Sequence, residues 1–280
     1  MRYGFKFWRK LFRRKITLLG ALLLTMIILM ALLAPVIAPY DPMKINPIER
    51  LQNPNQTHWF GTDNFGRDIF SRIVYGARIS VLSGFGVVIF SVVFGVVLGA
   101  LSGYFDNLGI FIMRFIDVVM AFPPLMLALA LMAILGQGLV NVIIAVGAVY
   151  LTRTARITYG LTLKIKKDAF IEAAVAEGAS NKRILFLHII PNLLSPIIVQ
   201  ATFTFAFALL EMAALDFLGV GIPPQIPSWG NMLSSSQVYI TRAPWLIFFP
   251  GLFIVITVLS FNLFGDALRD RLDPKFKDLV

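Results

Sequence analysis

The sequence predicts an all-α membrane protein, six transmembrane helices with a cytoplasmic helix pair between the fourth and the fifth. Three observations carry that reading. Hydrophobic residues make up 58% of the chain and charged residues 14%, with a mean hydropathy of +0.80, far from the averages of soluble domains. Six mainly apolar stretches, residues 16–38, 81–103, 115–135, 139–159, 194–215 and 245–264, are each long enough to cross a hydrocarbon core of ~30 Å. Runs such as Leu22-Leu23-Leu24-Thr25-Met26-Ile27-Ile28-Leu29 do not alternate as barrel strands would, and helices satisfy every backbone polar group inside lipid.

Residues 1–15 form a basic tail, with Arg2, Lys6, Arg9, Lys10, Arg13, Arg14 and Lys15 and no acidic residue. The positive-inside rule places it in the cytoplasm. The first span, 16–38, exceeds the 7–15-residue apolar region of a cleaved signal and is expected to stay as an anchor, although Ala34-Pro35-Val36-Ile37-Ala38 offers small residues for cleavage. An extracytoplasmic segment, 39–80, follows. Pro39, Pro42, Pro47 and Pro54 punctuate it, Trp59 and Phe60 suit a membrane interface, and 69–79 is an amphipathic stretch.

The remaining core, 81–265, carries the other five spans. In the second, Ser91, Gly95, Gly99 and Gly103 recur every four residues on one face, a small-residue ladder for close helix approach. It can serve packing within the chain or against another subunit. Arg114 and Asp117 stand three apart at the start of the third span, where an internal ion pair would reduce the cost of charge near the membrane. Pro123-Pro124 in that span breaks its hydrogen-bond ladder, a break best tolerated against protein or a watery cavity, so a pathway-lining bend is one reading. In the fifth span Glu211 and Asp216 follow a long apolar run near the outer face. Each is either a pathway carboxylate or a helix-end carboxylate bonded to the adjoining Gly/Pro-rich loop.

Six crossings from an inside N-terminus put residues 152–193 inside, with Arg153, Arg156, Lys164, Lys166, Lys167, Lys182 and Arg183, and likewise the 266–280 tail with Arg269, Arg271, Lys275 and Lys277. The outside segments hold only Lys44, Arg50, Arg67, Arg72, Arg78 and Arg242. The net charge of +10 is therefore accounted for by topology and anionic headgroups, with no nucleic-acid partner. Without cysteine, and with His58 and His188 on opposite faces, the chain offers neither disulfides nor a Cys/His metal cluster. It has no Gly-x-x-x-x-Gly-Lys-Ser/Thr loop, so any ATP energy must come from another subunit. Internal repeats of fixed period and inverted halves are not apparent.

The charged segment inside the loop, about 160–193, is the most distinctive. Asp168 is placed to cap a helix over residues 169–177, Gly178 to end it in a left-handed conformation, and Ser180 or Asn181 to cap a second short helix through Leu187, with Pro191 and Pro196 setting the start of the fifth span. On the first helix Phe170, Ala173, Ala174 and Glu177 share a face. That face suits another protein, or a bed of lipid headgroups.

Glu172-Ala173-Ala174, then Gly178 and Pro191, stand at the spacing Glu-Ala-Ala, three residues, Gly, nine residues, Ile-x-Leu-Pro, with His188 in place of the Ile and Ile190 in place of the Leu. Three further blocks accompany it. They are Gly61-Thr62-Asp63-Asn64-Phe65-Gly66-Arg67-Asp68 through Arg78, Phe217-Leu218-Gly219-Val220-Gly221 with Pro227-Ser228-Trp229-Gly230-Asn231, and Phe261-Asn262-Leu263-Phe264-Gly265-Asp266. In these the chain resembles, over nearly its whole length, the C-type permease subunit of ATP-binding-cassette (ABC) importers for dipeptides, oligopeptides and nickel.

The resemblance implies a type I importer domain in the inner membrane, multi-pass, with both termini cytoplasmic. Its partners would be a second, related permease, two ABC ATPase subunits and an extracytoplasmic solute-binding protein. The chain would bind no cofactor and have no catalytic residue, ATP and Mg belonging to the ATPases. Carried over residue by residue, Glu172, Ala173, Ala174, Gly178 and Pro191 would couple the ATPase to the membrane domain. Glu211, Asp216, Pro123 and Pro124 are the pathway or substrate candidates. Residues 39–80 and 219–244, with Trp59, Asp63, Arg67, Asp68 and Trp229, would form either the docking face for the binding protein or a cap that closes the bundle. Peptides are the first substrate expectation, with nickel and glutathione open. An intramembrane enzyme would need a nucleophile or metal constellation, and a gradient-driven transporter usually shows a longer, duplicated chain.

Overall fold

A computed structural model describes residues 15–272. The basic residues from Arg2 to Arg14, and Lys275 and Lys277, lie outside the described residues, as does most of each tail. The described chain is helical, with one isolated antiparallel bridge between Thr62 and Asp68. Five helices are long and apolar enough to cross a membrane, and a sharply bent pair brings the total to six if it counts as one span.

The first span is α1 (Lys15–Leu32) with a one-turn continuation, α2 (Ala34–Ile37). The interruption at Leu33 follows from Pro35, which lacks an N–H and crowds the preceding turn. The second is α3 (Ile69–Tyr104), 36 residues long. The amphipathic stretch 69–79 is thus the outer end of the spanning helix and not a separate element. Asp68 starts it, its Oδ2 accepting from the Ser71 amide at 2.7 Å.

In place of a straight third span stand two helices, α4 (Asp106–Met120) and α5 (Pro124–Leu135), which meet at 95°. Pro123 and Pro124 sit at the corner, as their missing donors require. The expected pair between Arg114 and Asp117 does not form. Asp117 pairs instead with Arg156 of α6 (Leu139–Ile165), because α4 packs on α6 and a basic residue preceding an acidic one is the weaker order along a helix.

α3 and α6 form the most extensive helix contact. A Cβ at Gly95 would come within 2.7 Å of the Thr154 Cβ, and one at Gly103 within 2.6 Å of the Thr162 Cβ. The small-residue ladder therefore serves packing within the chain.

Beyond α6 come α7 (Ala169–Ala176) and the short α8 (Asn181–Arg183), then a π-helical segment, Ile184–Ile189, that runs directly into α9 (Ile190–Phe217). The second helix of the pair is therefore not a separate element ending near Leu187. Pro191 and Pro196 do not stop it either. Widening to i→i−5 bonds, as in Ile190 N–H to Leu185 O, makes room for a proline ring that would clash in a regular α-helix. The Asn192 side-chain Nδ2 also donates to the His188 carbonyl at 2.6 Å.

α10 (Trp229–Ser236) and α11 (Trp245–Leu272) complete the fold. Phe205 of α9 and Phe261 of α11 stack nearly face to face in the core, ring centroids 3.7 Å apart.

Candidate functional site

Residues expected at an outer docking face are largely folded inward. Asp63 takes the Arg67 Nε at 2.6 Å on Oδ2 and the amides of Phe65 and Arg67 at 2.8 and 2.9 Å on Oδ1. The Arg72 Nε stands 3.7 Å from the same carboxylate, and Arg72 also donates to the Pro42 carbonyl at 3.1 Å. His58, 4% exposed, has Nδ1 2.9 Å from Asp68 and Nε2 3.5 Å from Glu49. Trp229 is fully buried and its indole N–H donates to the Ile73 carbonyl at 3.1 Å. Of the five residues named for docking only Trp59 is exposed, its ring edge-on to Phe70 at 4.9 Å. Asp63, Arg67, Asp68 and Trp229 fasten this capping segment to the helix bundle, because buried charges and an indole N–H must find partners.

Asp216 follows the same logic. It is buried, and its carboxylate accepts from the Ile222 amide at 2.7 Å and from the Ser228 hydroxyl at 2.6 Å. It ties the end of α9 to the 219–228 loop. Glu211 differs: its Oε2 is enclosed by protein and accepts no hydrogen bond. Pro123 and Pro124 are exposed at the corner between α4 and α5.

The α7–α8 pair has another character. Ile171 is buried with Ile184, Leu185 and Ile189 against Ala100 near the inner end of α3. Tyr104 holds Asn181 by a hydrogen bond of 2.8 Å, and Lys166 donates to the Tyr104 carbonyl and to Asp106, each at 2.9 Å. Asp168 occupies the N-cap position of α7 without a side-chain cap bond. The turn after α7 is closed by Ala179 N–H to Ala174 O and Gly178 N–H to Val175 O, with Gly178 at φ +77°, the double bond pattern of a left-handed C-terminal cap. Ser180 then caps α8. Glu172 and Ala173 are exposed, Ala174 is half-buried, and Pro191 is exposed at the start of α9. A groove of about 550 Å³ between Tyr104, Lys166, Glu172, Val175 and Asn181 runs beside them.

Comparison with known proteins decides what these surfaces belong to. Residues 91–278 match the family described as the binding-protein-dependent transport system inner membrane component. The chain belongs to that family. Residues 3–54 also match the N-terminal transmembrane domain of oligopeptide transport permease C. The chain is 46% identical over 275 residues to the dipeptide transport system permease DppC of Alkalihalophilus pseudofirmus, covering 96% of this chain and 90% of that protein. It is 42% identical over 280 residues to the di/tripeptide transport system permease DppC of Pseudomonas aeruginosa, covering 98% and 92%. To the glutathione transport system permease GsiD of Escherichia coli it is 43% identical over 281 residues, covering 97% and 90%. The chain is a permease subunit of a binding-protein-dependent importer.

Arg153 lies near the middle of α6, with its guanidinium 5.6 Å from the Phe207 ring on α9.

Proposed function

We propose that this chain forms, with a second related permease, the membrane pathway of an ATP-driven importer for di- or oligopeptides delivered by an extracytoplasmic solute-binding protein. Two ABC ATPase subunits bind ATP and Mg and supply the energy; the permease itself carries out no chemistry. The basic N- and C-terminal tails lie in the cytoplasm, and so does the α7–α8 pair.

The observation that carries the reading is the exposed flank of α7. Glu172 and Ala173 stand free beside the groove, on a helix whose opposite side is anchored through Ile171. Alanine permits close approach of a partner backbone, and Glu172 is available for a charge-assisted bond to an Arg or Lys of the ATPase. A rigid turn at Gly178 and an unbroken path through the π segment into α9 favour transmission of a push on α7–α8 to the fifth span. Pro191 belongs to that path as the residue around which the π segment forms.

Substrate class rests on the relatives, whose names specify dipeptides, di/tripeptides and glutathione. All are small peptidic molecules. Reconstitution of the chain with its second permease, ATPases and binding protein in liposomes is expected to give dipeptide uptake that stops when the ATPase is inactivated. Uptake by the chain without any ATPase would refute the reading.

A further inference from the structure

A cleft of about 720 Å³ opens between the end of the first span, the 39–43 stretch, residues 75–79 of α3 and the turn at 226–227. Ala38, on its wall, ends the first apolar stretch of the chain. Arg78, also on its wall, stands three residues before the second apolar stretch begins at Val81, about 4.5 Å of helix rise. Both stretches therefore set the cleft at the level of the lipid headgroups, a level that its Tyr40 and Tyr75 also favour.

Arg78 is exposed and has no hydrogen bond, ion pair or ring contact among the described residues, unlike Arg67 and Arg72 at the same end of α3, which share Asp63. The Tyr75 hydroxyl, one turn before it, is likewise without a hydrogen bond among the described residues. Farther along α3, Leu82, Phe85 and Ile89 follow Arg78 at i+4, i+7 and i+11, the spacing of one helix face, and they are 59, 39 and 62% exposed. A free cation in a cleft, at the head of a bare apolar stripe, has the layout of a phospholipid with its phosphate at one end and an acyl chain at the other.

We propose that this cleft holds one phospholipid, its phosphate bound by Arg78 and Tyr75 and one acyl chain lying along Leu82, Phe85 and Ile89. Asp41 is the other charged residue that lines the cleft; its Oδ1 accepts from the Met43 amide at 2.8 Å, and it makes no ion pair with Arg78. The lining is thus neutral overall, which suits a headgroup without net charge, phosphoethanolamine, better than the net negative phosphoglycerol. A peptide in transit would meet the same two charges but has no tail to cover the stripe. Held there, the lipid bridges the first span and α3.

The test uses the complete importer in detergent and a phosphatidylethanolamine whose acyl chain carries a photoreactive diazirine. The readout is the label on residues 79–89 relative to that on α1, where Leu18, Leu19 and Leu22 are also exposed. Unlabelled phosphatidylethanolamine is expected to displace the 79–89 label at a concentration about tenfold lower than phosphatidylglycerol, and dialanine to leave it unchanged. Arg78→Gln should lower the ratio about tenfold, the scale of a lost charge-assisted bond, while Arg78→Lys keeps it within about threefold. Asp41→Asn should bring phosphatidylglycerol to within about threefold of phosphatidylethanolamine. An unchanged ratio in Arg78→Gln would overturn the proposal, and so would equal competition by the two lipids. Displacement by dialanine would overturn it by giving the cleft to the transported peptide, and label on α1 without label on 79–89 by giving the stripe to the second permease. These competition results are read on the unmodified importer, so the proposal stands or falls even where a variant does not assemble.

Discussion

The cap around Asp63, Asp68 and Asp216 and the α7–α8 pair are both Gly- or Pro-punctuated insertions between long helices, but they keep their polar groups in opposite ways. In the cap, Asp63, Asp68, Arg72, His58 and Asp216 are all under 10% exposed and engage partners in the same chain. On and just after the inner pair, Phe170, Val175, Phe186 and Leu187 are 45–66% exposed, and Glu172 makes no ion pair among the described residues. Buried charges need their own partners to offset desolvation, so the cap is closed on itself. An anchored helix with an apolar, lightly bonded flank is stable in the fold yet leaves its outer face for something else. The difference teaches that the cap sets the shape of its end of the bundle, and the α7–α8 pair presents a surface.

The comparison can be broken or sharpened by substitution, starting with the largest effect. Trp229→Ala should cost about 3–5 kcal/mol in denaturant or thermal unfolding of the purified protein in detergent, since its ring is fully buried under α3. A loss below about 1 kcal/mol would mean the cap is not the self-contained unit described. Asp68→Ala removes both the α3 cap and the acceptor for His58, and about 2–3 kcal/mol should disappear in the same assay. Gly178→Ala has open space around it, so its expected cost is the left-handed backbone alone, about 1–2 kcal/mol. Glu172→Ala should leave stability within about 0.5 kcal/mol while abolishing stimulation of ATP hydrolysis by loaded binding protein. Intact stimulation would show that the exposed flank of α7 is not the coupling surface.

Because the chain has no cysteine, single cysteines can report which face each region occupies. At position 172 a membrane-impermeant maleimide should react from the cytoplasmic side, and at exposed Trp59 from the outer side. Labelling of position 172 from outside would end the assignment of the inner pair to an ATPase.

Periodicity and composition made the all-helical fold legible, because a lipid solvent forces each apolar run to satisfy its own backbone. The left-handed cap at Gly178 was legible too, since a glycine after a run of helix formers has few other uses. Pro123-Pro124 foretold a break, though nothing in the pair fixes an angle of 95°. Partner choice was not legible: Arg114 was the nearer cation in sequence, but packing of α4 on α6 gave Asp117 to Arg156. The Gly-Thr-Asp block reads either as a docking face or as a cap that closes the bundle, and Asp63, Arg67 and Asp68 are buried because each meets a counter-charge or backbone group that sequence spacing does not reveal.

By itself the sequence determined that this protein is a helical membrane subunit and which loop carries the Glu-Ala-Ala pattern. These follow from local properties, hydropathy and turn chemistry, that act within a few turns of the chain. Only the tertiary structure decided that the small-residue ladder packs within the chain and that the charges of the Gly-Thr-Asp block, with Asp216, close on partners in the same chain. Those outcomes depend on distances between helices far apart in sequence, and electrostatic and packing energies are set by distance in space.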